Sequence, residues 1–212
     1  LKLIRLDPFY PIVPDAAWVA RLAAQGAKLI QLRVKNGTPE AIEAEIARAL
    51  ETASAHGCQL VVNDYWREAI RLGADFVHLG QGDLADADLA AIHAAGIKLG
   101  VSTHSPEELT VAIAAEPDYV ALGPIYPTKL KEMPWPPQGL ARIGEWRSKI
   151  TCPLVAIGGI TLERAPSVLA AGASSAAVVT DIVMSDDPEQ RTRDWLAATA
   201  PWRNLSTAIP PR

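Results

Sequence analysis

At 212 residues and 22.7 kDa, the chain is long enough to bury a substantial core as one large domain or two small ones. Hydrophobic residues make up 49%, charged residues 21%, and the net charge is −4, a mild acidity that argues against a nucleic-acid-binding surface. No apolar run reaches the roughly 18 residues that a membrane-spanning helix needs, so no membrane partner is expected.

The opening Leu1-Lys2-Leu3-Ile4-Arg5 lacks the apolar core and cleavage site of a signal peptide, and the absence of Met points to a start further upstream. Eight short apolar runs follow, at residues 9–13, 29–34, 60–63, 76–79, 98–102, 119–124, 154–157 and 176–179. Their apolarity is continuous rather than alternating, as strands buried on both faces require. The segments between them carry helical periodicity. Thr38-Pro39-Glu40, Ser105-Pro106-Glu107-Glu108 and Asp187-Pro188-Glu189 read as helix starts, and Gly26, Gly57, Gly73, Gly96 and Gly172 as helix ends. Strict alternation of eight strands with helices predicts an α/β chain folded as one (β/α)8 TIM barrel over residues 1–202. A doubly wound open sheet is the alternative. The one long irregular stretch, residues 127–138 (PTKLKEMPWPPQ), is expected to be a lid or binding loop, and residues 203–212 a frayed tail.

Cys58 and Cys152 each precede an apolar run with no metal-ligand spacing, which suits buried structural thiols in a reducing cytoplasm. Trp195 and Trp202, late in the chain, are compatible with an exposed aromatic face and a homodimer.

In a parallel α/β fold the C-terminal strand ends form the ligand site. The second strand ends Gln31-Leu32-Arg33-Val34-Lys35, and alternation turns Gln31, Arg33 and Lys35 to one side. Three polar groups inside a barrel need partners. An anionic ligand would supply them, with Arg33 as a fork and Lys35 as a point charge; a carboxylate from a neighbouring strand end is the alternative. Asn63-Asp64 and Gly80-Gln81-Gly82-Asp83 follow the third and fourth strands. Two carboxylates converging on one sheet edge suit a Mg²⁺ bound together with a phosphate-bearing substrate, although each Asp could instead cap a helix.

The fifth strand leads into Ser102, a donor for a phosphate or amine. His104 follows, an acid–base candidate or a partner for a loop carbonyl, and then Ser105, a helix cap. His78 lies within an apolar run and reads as a packed, hydrogen-bonded residue, while His56 and His93 read as helix-surface positions. Thr128, Lys129 and Lys131 after the sixth strand could grip and release a pyrophosphate, Lys129 reading rather as a solvated side chain. Gly158-Gly159 and Thr180-Asp181, after strands seven and eight, stand where barrels commonly build phosphate sites.

The series QLRVK, NDYWREA, GADFVHLGQGD, LGVSTHSPEE, PDYVALGPIYPT, PLVAIGGI and AAVVTDI resembles the thiamine-phosphate synthase family, part of a superfamily shared with thiazole tautomerases. The resemblance runs from Gln31 to Ile182. It implies a cytoplasmic transferase that condenses hydroxymethylpyrimidine diphosphate with thiazole phosphate, releasing pyrophosphate. It further implies Mg²⁺ on Asp64 and Asp83; Gln31, Arg33, Lys35 and Asn63 on the pyrimidine diphosphate; and Ser102 and Lys131 on the pyrophosphate. Thr128, Gly159, Val179 and Thr180 would hold the thiazole phosphate.

Three positions depart from the family pattern. Tyr65 replaces an Arg after Asn-Asp, Leu130 replaces a Thr in the lysine loop, and Met133-Pro134-Trp135-Pro136-Pro137 is bulkier than usual. Asp181 also brings a negative charge close to the implied thiazole phosphate site. The related tautomerases carry a His where Pro124 stands here, and they have no diphosphate to hold. A non-catalytic pathway binding protein is the remaining alternative, indifferent to loss of Asp64 or Asp83.

Overall fold

Eight parallel strands close on themselves in the order in which they occur in the chain. The structure is a computed structural model, and it describes residues 6–128 and 135–203. The elements run β1 (Phe9–Val13), α1 (Ala16–Ala24), β2 (Leu29–Leu32), α2 (Pro39–Ala55), β3 (Gln59–Asn63), α3 (Trp66–Leu72) and β4 (Phe76–Leu79). They continue with α4 (Gln81–Asp86), α5 (Leu89–Ala94), β5 (Lys98–Thr103), α6 (Pro106–Ala114), β6 (Tyr119–Leu122) and α7 (Gly139–Arg147). The last are β7 (Leu154–Ile157), α8 (Ala165–Ala170), β8 (Ser175–Val178), α9 (Thr180–Val183) and α10 (Pro188–Arg203). Closure comes from β1 against β8, with Phe9, Tyr10 and Pro11 in register with Ala176, Ala177 and Val178. The expected TIM barrel is therefore the fold, and the open-sheet alternative is set aside.

The strands' period of two divides the apolar residues between two cores. Phe9, Ile30, Val62, Val77, Leu99, Val120 and Ala176 face outward and pack beneath the helices. Tyr10, Leu29, Val61, Phe76, Tyr119, Val155 and Ala177 fill the barrel itself. Further along the strands the interior becomes polar, with Gln31, Asn63 and His78 buried at the C-terminal end.

The helix starts expected at Thr38, Ser105 and Asp187 are capped by those side chains, which accept from the N–H groups of Ala41, Glu108 and Gln190. Gly73 ends α3 in the left-handed region at φ 68°, where a Cβ would be strained. β2 and β6 each stop two residues before their apolar runs end. In β6 the cause is Pro124, which has no N–H to continue the ladder; Ile125 resumes pairing by donating to Ile157 O at 2.9 Å.

The expected exposed aromatic face does not exist. Trp195 is fully buried, stacked on Phe9 with ring centroids 5.1 Å apart, and Trp202 packs partly buried against the outer core. The argument for a dimer from these side chains is lost, because the barrel's own closure uses them. Arg203, assigned above to a frayed tail, belongs to α10, and its guanidinium meets Asp7 at 2.7 and 3.1 Å. Residues 204–212 lie outside the described part. Cys58 is buried as expected, and burial pushes its thiol up to about 12, leaving it inert. Among the described residues, no helix is long and apolar enough to cross a membrane.

Candidate active site

All eight strands point their C-terminal ends at one cleft of about 670 Å³. Gln31, Arg33, Lys35, Asn63, Asp64, Asp83, Ser102, Thr128, Gly159, Val179 and Thr180 all line it. Lys131, with Lys129, Leu130, Met133 and Pro134, lies outside the described residues.

Neither aspartate caps a helix. Asp64 sits at φ 67°, a left-handed position rare for a residue with a side chain, held by its N–H to His78 O and by Trp66 N–H to its own carbonyl. The N-cap of α3 is Tyr65, which makes no side-chain capping bond. Asp83 falls inside α4 rather than at its start, and that helix begins from Gly80. Both side chains are thus free for one another. Burial and the neighbouring Asp83 push the Asp64 carboxyl up to about 6, the two carboxyl groups share a hydrogen bond, and Arg33 and a hydrogen bond from Asn63 oppose the shift. A site that forces two acids together is short of positive charge, and a cation between them would supply it. Among the described residues no cluster of three His, Cys, Asp or Glu exists. Two carboxylates suffice for an ion that takes its remaining oxygens from water and phosphate.

Beneath the cleft runs a buried chain of polar groups that sequence reasoning overlooked. The Gln31 amide donates to Tyr10 Oη at 2.9 Å, and Tyr10 Oη lies 3.0 Å from Tyr119 Oη. Tyr119 Oη is 2.7 Å from His78 Nδ1, and His78 Nε2 is 2.8 Å from Ser102 Oγ. Five strands contribute one member each. The signal was available: a phenol inside a fully buried strand must find a partner, and Tyr10 and Tyr119 both occupy such strands. His78 is the packed, hydrogen-bonded residue expected, and burial lowers it to about 4, so its ring is neutral near pH 7. Gln81 fixes the strand end by donating to Ser102 O at 2.7 Å.

Other expectations are corrected at the rim. His104 meets a carboxylate rather than a loop carbonyl: Glu108 accepts from its backbone N–H at 2.7 Å and lies 2.8 Å from its Nδ1. The ring of Trp135 lies parallel to it at 6.1 Å, and Gln138 donates to His104 O at 2.7 Å. These contacts bring the far end of the long loop to the cleft edge. Tyr65, standing where the family has Arg, donates to Val34 O at 3.4 Å and so braces the segment that carries Lys35.

Gly158 and Gly159 were expected to make room for a ligand. The groups that approach them most closely are the chain's own. A Cβ on Gly158 would lie 2.6 Å from Pro124, and one on Gly159 would lie 2.4 Å from Pro127 O. Arg164, stacked over Tyr126, donates to Gly159 O at 2.6 Å and holds the turn. The pair still lines the cleft, but its lack of side chains is explained by the loop after β6.

Asp181 turns away from the cleft. Its carboxylate accepts from Arg191 Nε at 2.9 Å, Arg191 Nη2 at 2.8 Å and Trp195 Nε1 at 2.7 Å, pinning α9 to α10. The charge that sequence reasoning could not reconcile with a phosphate is neutralised by this pairing.

The comparisons show the family and agree with the fold. A family model described as thiamine monophosphate synthase matches residues 10–182. The thiamine-phosphate synthase of Rhizobium etli is 62% identical over 203 residues, covering 95% of this chain and all of that one. The thiamine-phosphate synthase of Salmonella typhimurium is 48% identical, covering 89% of this chain and 90% of that one. Among solved structures, a thiamine phosphate pyrophosphorylase from Pyrococcus furiosus superposes with a TM-score of 0.81 at 25% identity, covering 92% of this chain and 96% of that one. A 3-hexulose-6-phosphate synthase, at 20% identity and a TM-score of 0.64, shares the fold.

Proposed function

Because the chain belongs to the thiamine monophosphate synthase family, we propose that it is a transferase joining hydroxymethylpyrimidine diphosphate to thiazole phosphate, with thiamine phosphate and pyrophosphate as products. The pyrimidine CH₂–O bond breaks, its electron pair leaving with the pyrophosphate, and the thiazole nitrogen then forms the new C–N bond. Such a step asks little acid or base work of the protein. It asks for charge neutralisation on the leaving group and exclusion of water from the cation.

The observation that carries the reading is the Asp64–Asp83 pair beside Arg33, two acids and a guanidinium on one rim of the cleft. Asp64 and Asp83 would hold Mg²⁺, which neutralises phosphoryl oxygens when bound. Arg33 and Lys35 stand beside that pair to bind the diphosphate, Gln31 and Asn63 lie deeper for the pyrimidine, and Ser102 offers its hydroxyl to the pyrophosphate. Lys131, outside the described residues, would by the family resemblance complete the grip on the leaving group. Thr128, Gly159, Val179 and Thr180 flank the opposite side of the cleft and would seat the thiazole phosphate. Arg191 holds Asp181 out of that side, so this carboxylate does not face the anion.

The test is an assay of the purified protein with both substrates and Mg²⁺, scored for thiamine phosphate. Magnesium-dependent product that is lost in Asp64→Ala is the expected result. No product from intact substrates would overturn the reading.

A further inference from the structure

The buried polar chain has a direction, and it can be read from its far end. A side-chain amide nitrogen donates and does not accept. Gln31 Nε2 is the group facing Tyr10 Oη, so the phenol accepts there, and its single proton must go elsewhere. The partner within reach is Tyr119 Oη at 3.0 Å. Tyr119, having accepted from Tyr10, spends its own proton on His78 Nδ1 at 2.7 Å. A neutral imidazole has one donor and one acceptor; with Nδ1 accepting, Nε2 carries the hydrogen and donates to Ser102 Oγ at 2.8 Å. The Ser102 hydroxyl has then accepted from below, and its hydrogen is left to point into the cleft that the residue lines.

The reverse direction fails at the same end. If Ser102 donated to His78, each phenol would hand its proton on toward β2, and Tyr10 would present a hydrogen to an amide N–H. A second feature shows that the barrel wall is shaped for this chain. Gly100 faces Tyr119 across the β5–β6 ladder, and a Cβ there would lie 2.1 Å from Tyr119 Cζ and 2.5 Å from its hydroxyl. The wall is bare where the phenol passes.

We propose that Tyr119, oriented by Gln31 and Tyr10, is a positioning residue that holds His78 in its Nε2–H tautomer and thereby turns the Ser102 hydroxyl hydrogen outward as a donor to an anionic oxygen of the ligand. Naming that ligand as the pyrophosphate rests on the function proposed above. Tyr119, fully buried on the cleft floor, acts through His78. Its effect is to remove the choice from a hydroxyl that would otherwise divide its time between donating down to His78 and up to the anion. A donor committed before the ligand arrives costs no reorganisation when charge develops on the leaving group.

The direction makes two similar variants behave differently. Tyr10→Phe leaves Tyr119 with the Gln31 amide as a hydrogen-bond donor and His78 Nδ1 as its acceptor, so the tautomer and the anion affinity stay near those of the native protein. Tyr119→Phe removes the donor to Nδ1 while keeping the ring that packs on Phe76 and His78. Ser102 can then donate inward.

The experiment is ¹⁵N NMR of histidine-labelled full-length protein, paired with calorimetric titration of inorganic pyrophosphate in the presence of Mg²⁺. His78 in the native protein and in Tyr10→Phe should show a protonated Nε2 and an acceptor Nδ1. In Tyr119→Phe the pattern should move toward the other tautomer. Pyrophosphate affinity should fall by about 10- to 100-fold in Tyr119→Phe, the range expected for one hydrogen bond to a charged group. It should fall comparably in Ser102→Ala, and no further in the double variant. A native His78 with its proton on Nδ1 would overturn the proposal, as would Tyr119→Phe binding pyrophosphate as the native protein does. Native protein that fails to bind pyrophosphate at all would remove the function reading together with the ligand assigned to Ser102. The tautomer measurement would still decide the direction of the chain.

Discussion

Gly100 and Tyr119 are ladder partners, and the phenol of Tyr119 occupies the volume that a side chain on Gly100 would need. A methyl group cannot fit there unless one wall of the barrel moves, because the ring is fully buried and stacked against His78. Gly100→Ala should therefore destabilise the fold by about 1–3 kcal/mol, the range for overpacking a filled core. Urea midpoints at constant slope would measure it. An unshifted midpoint would mean that the interior is looser than its packing indicates.

Asp64 and Asp83 should act as a unit. Replacing Asp64 by Ala removes one of the two proposed Mg²⁺ ligands and leaves Asp83 without its partner acid. Product formation should fall on the order of 100-fold or more, since a bound divalent ion contributes several kcal/mol of charge stabilisation and each factor of ten is about 1.4 kcal/mol. Asp64→Ala and Asp83→Ala should be alike, and the double variant scarcely worse than either. Initial rates against Mg²⁺ concentration would show this as lost saturation; activity that persists without dependence on Mg²⁺ would contradict it.

The buried ring of His78 ties stability to pH. Its folded value is pushed down to about 4 from an ordinary 6.5, so as pH falls the unfolded chain takes up this proton before the folded one can. Stability from this group is undiminished above pH 6.5, declines between 6.5 and 4 at about 1.4 kcal/mol per pH unit, and levels off below 4 after a total loss of about 3 kcal/mol. Unfolding midpoints from pH 7.5 to about 4.5 would give the slope. In His78→Asn that part of the slope should vanish; an identical pH profile in the variant would assign the effect to other groups.

The Asp181 carboxylate, 11% exposed, joins α9 to α10 through Arg191 and Trp195. Asp181→Asn keeps an oxygen for Trp195 Nε1 but gives up the charged fork with Arg191. The expected cost is about 1.5–3 kcal/mol, as for hydrogen bonds to charged groups, seen as a lower thermal midpoint. Because α9 follows directly on Val179, affinity for thiazole phosphate should weaken in the same variant, while that for inorganic pyrophosphate stays unchanged. Titration of both ligands would separate the two effects.

Much of this architecture is legible in the residue order, for a simple reason. A parallel barrel buries both faces of every strand, so each one appears as an apolar run. Three of the eight runs, 9–13, 76–79 and 154–157, coincide with β1, β4 and β7 to the residue. The charged rim of the cleft is legible too, because Arg33, Lys35, Asp64 and Asp83 are charges at or shortly beyond the ends of such runs. What escaped was everything decided by contact across the barrel. Nothing near Asp181 in sequence announces that Arg191, a helix away, faces it. Gly158-Gly159 has the composition of a ligand loop, and only the path of Pro124–Pro127 shows what presses on it. Trp195 reads as a surface aromatic in sequence because its partner, Phe9, lies far from it along the chain. Tyr10, His78 and Tyr119 each signal only that a buried polar group needs a partner, and which partner it finds is decided when the strands close into a ring.

Phe9 on Trp195, Asp7 on Arg203 and the β1–β8 ladder all join the beginning of the chain to its end. A ribosome makes β1 first and the segments that cover it last. Until β8 and α10 emerge, the outer face of β1 lacks its Trp195 cover and one edge of β1 has no neighbour, the condition under which nascent chains aggregate or recruit chaperones. Native closure thus waits until β8 and α10 have been made, and the relay across the floor, which includes Tyr10 on β1, is completed only then.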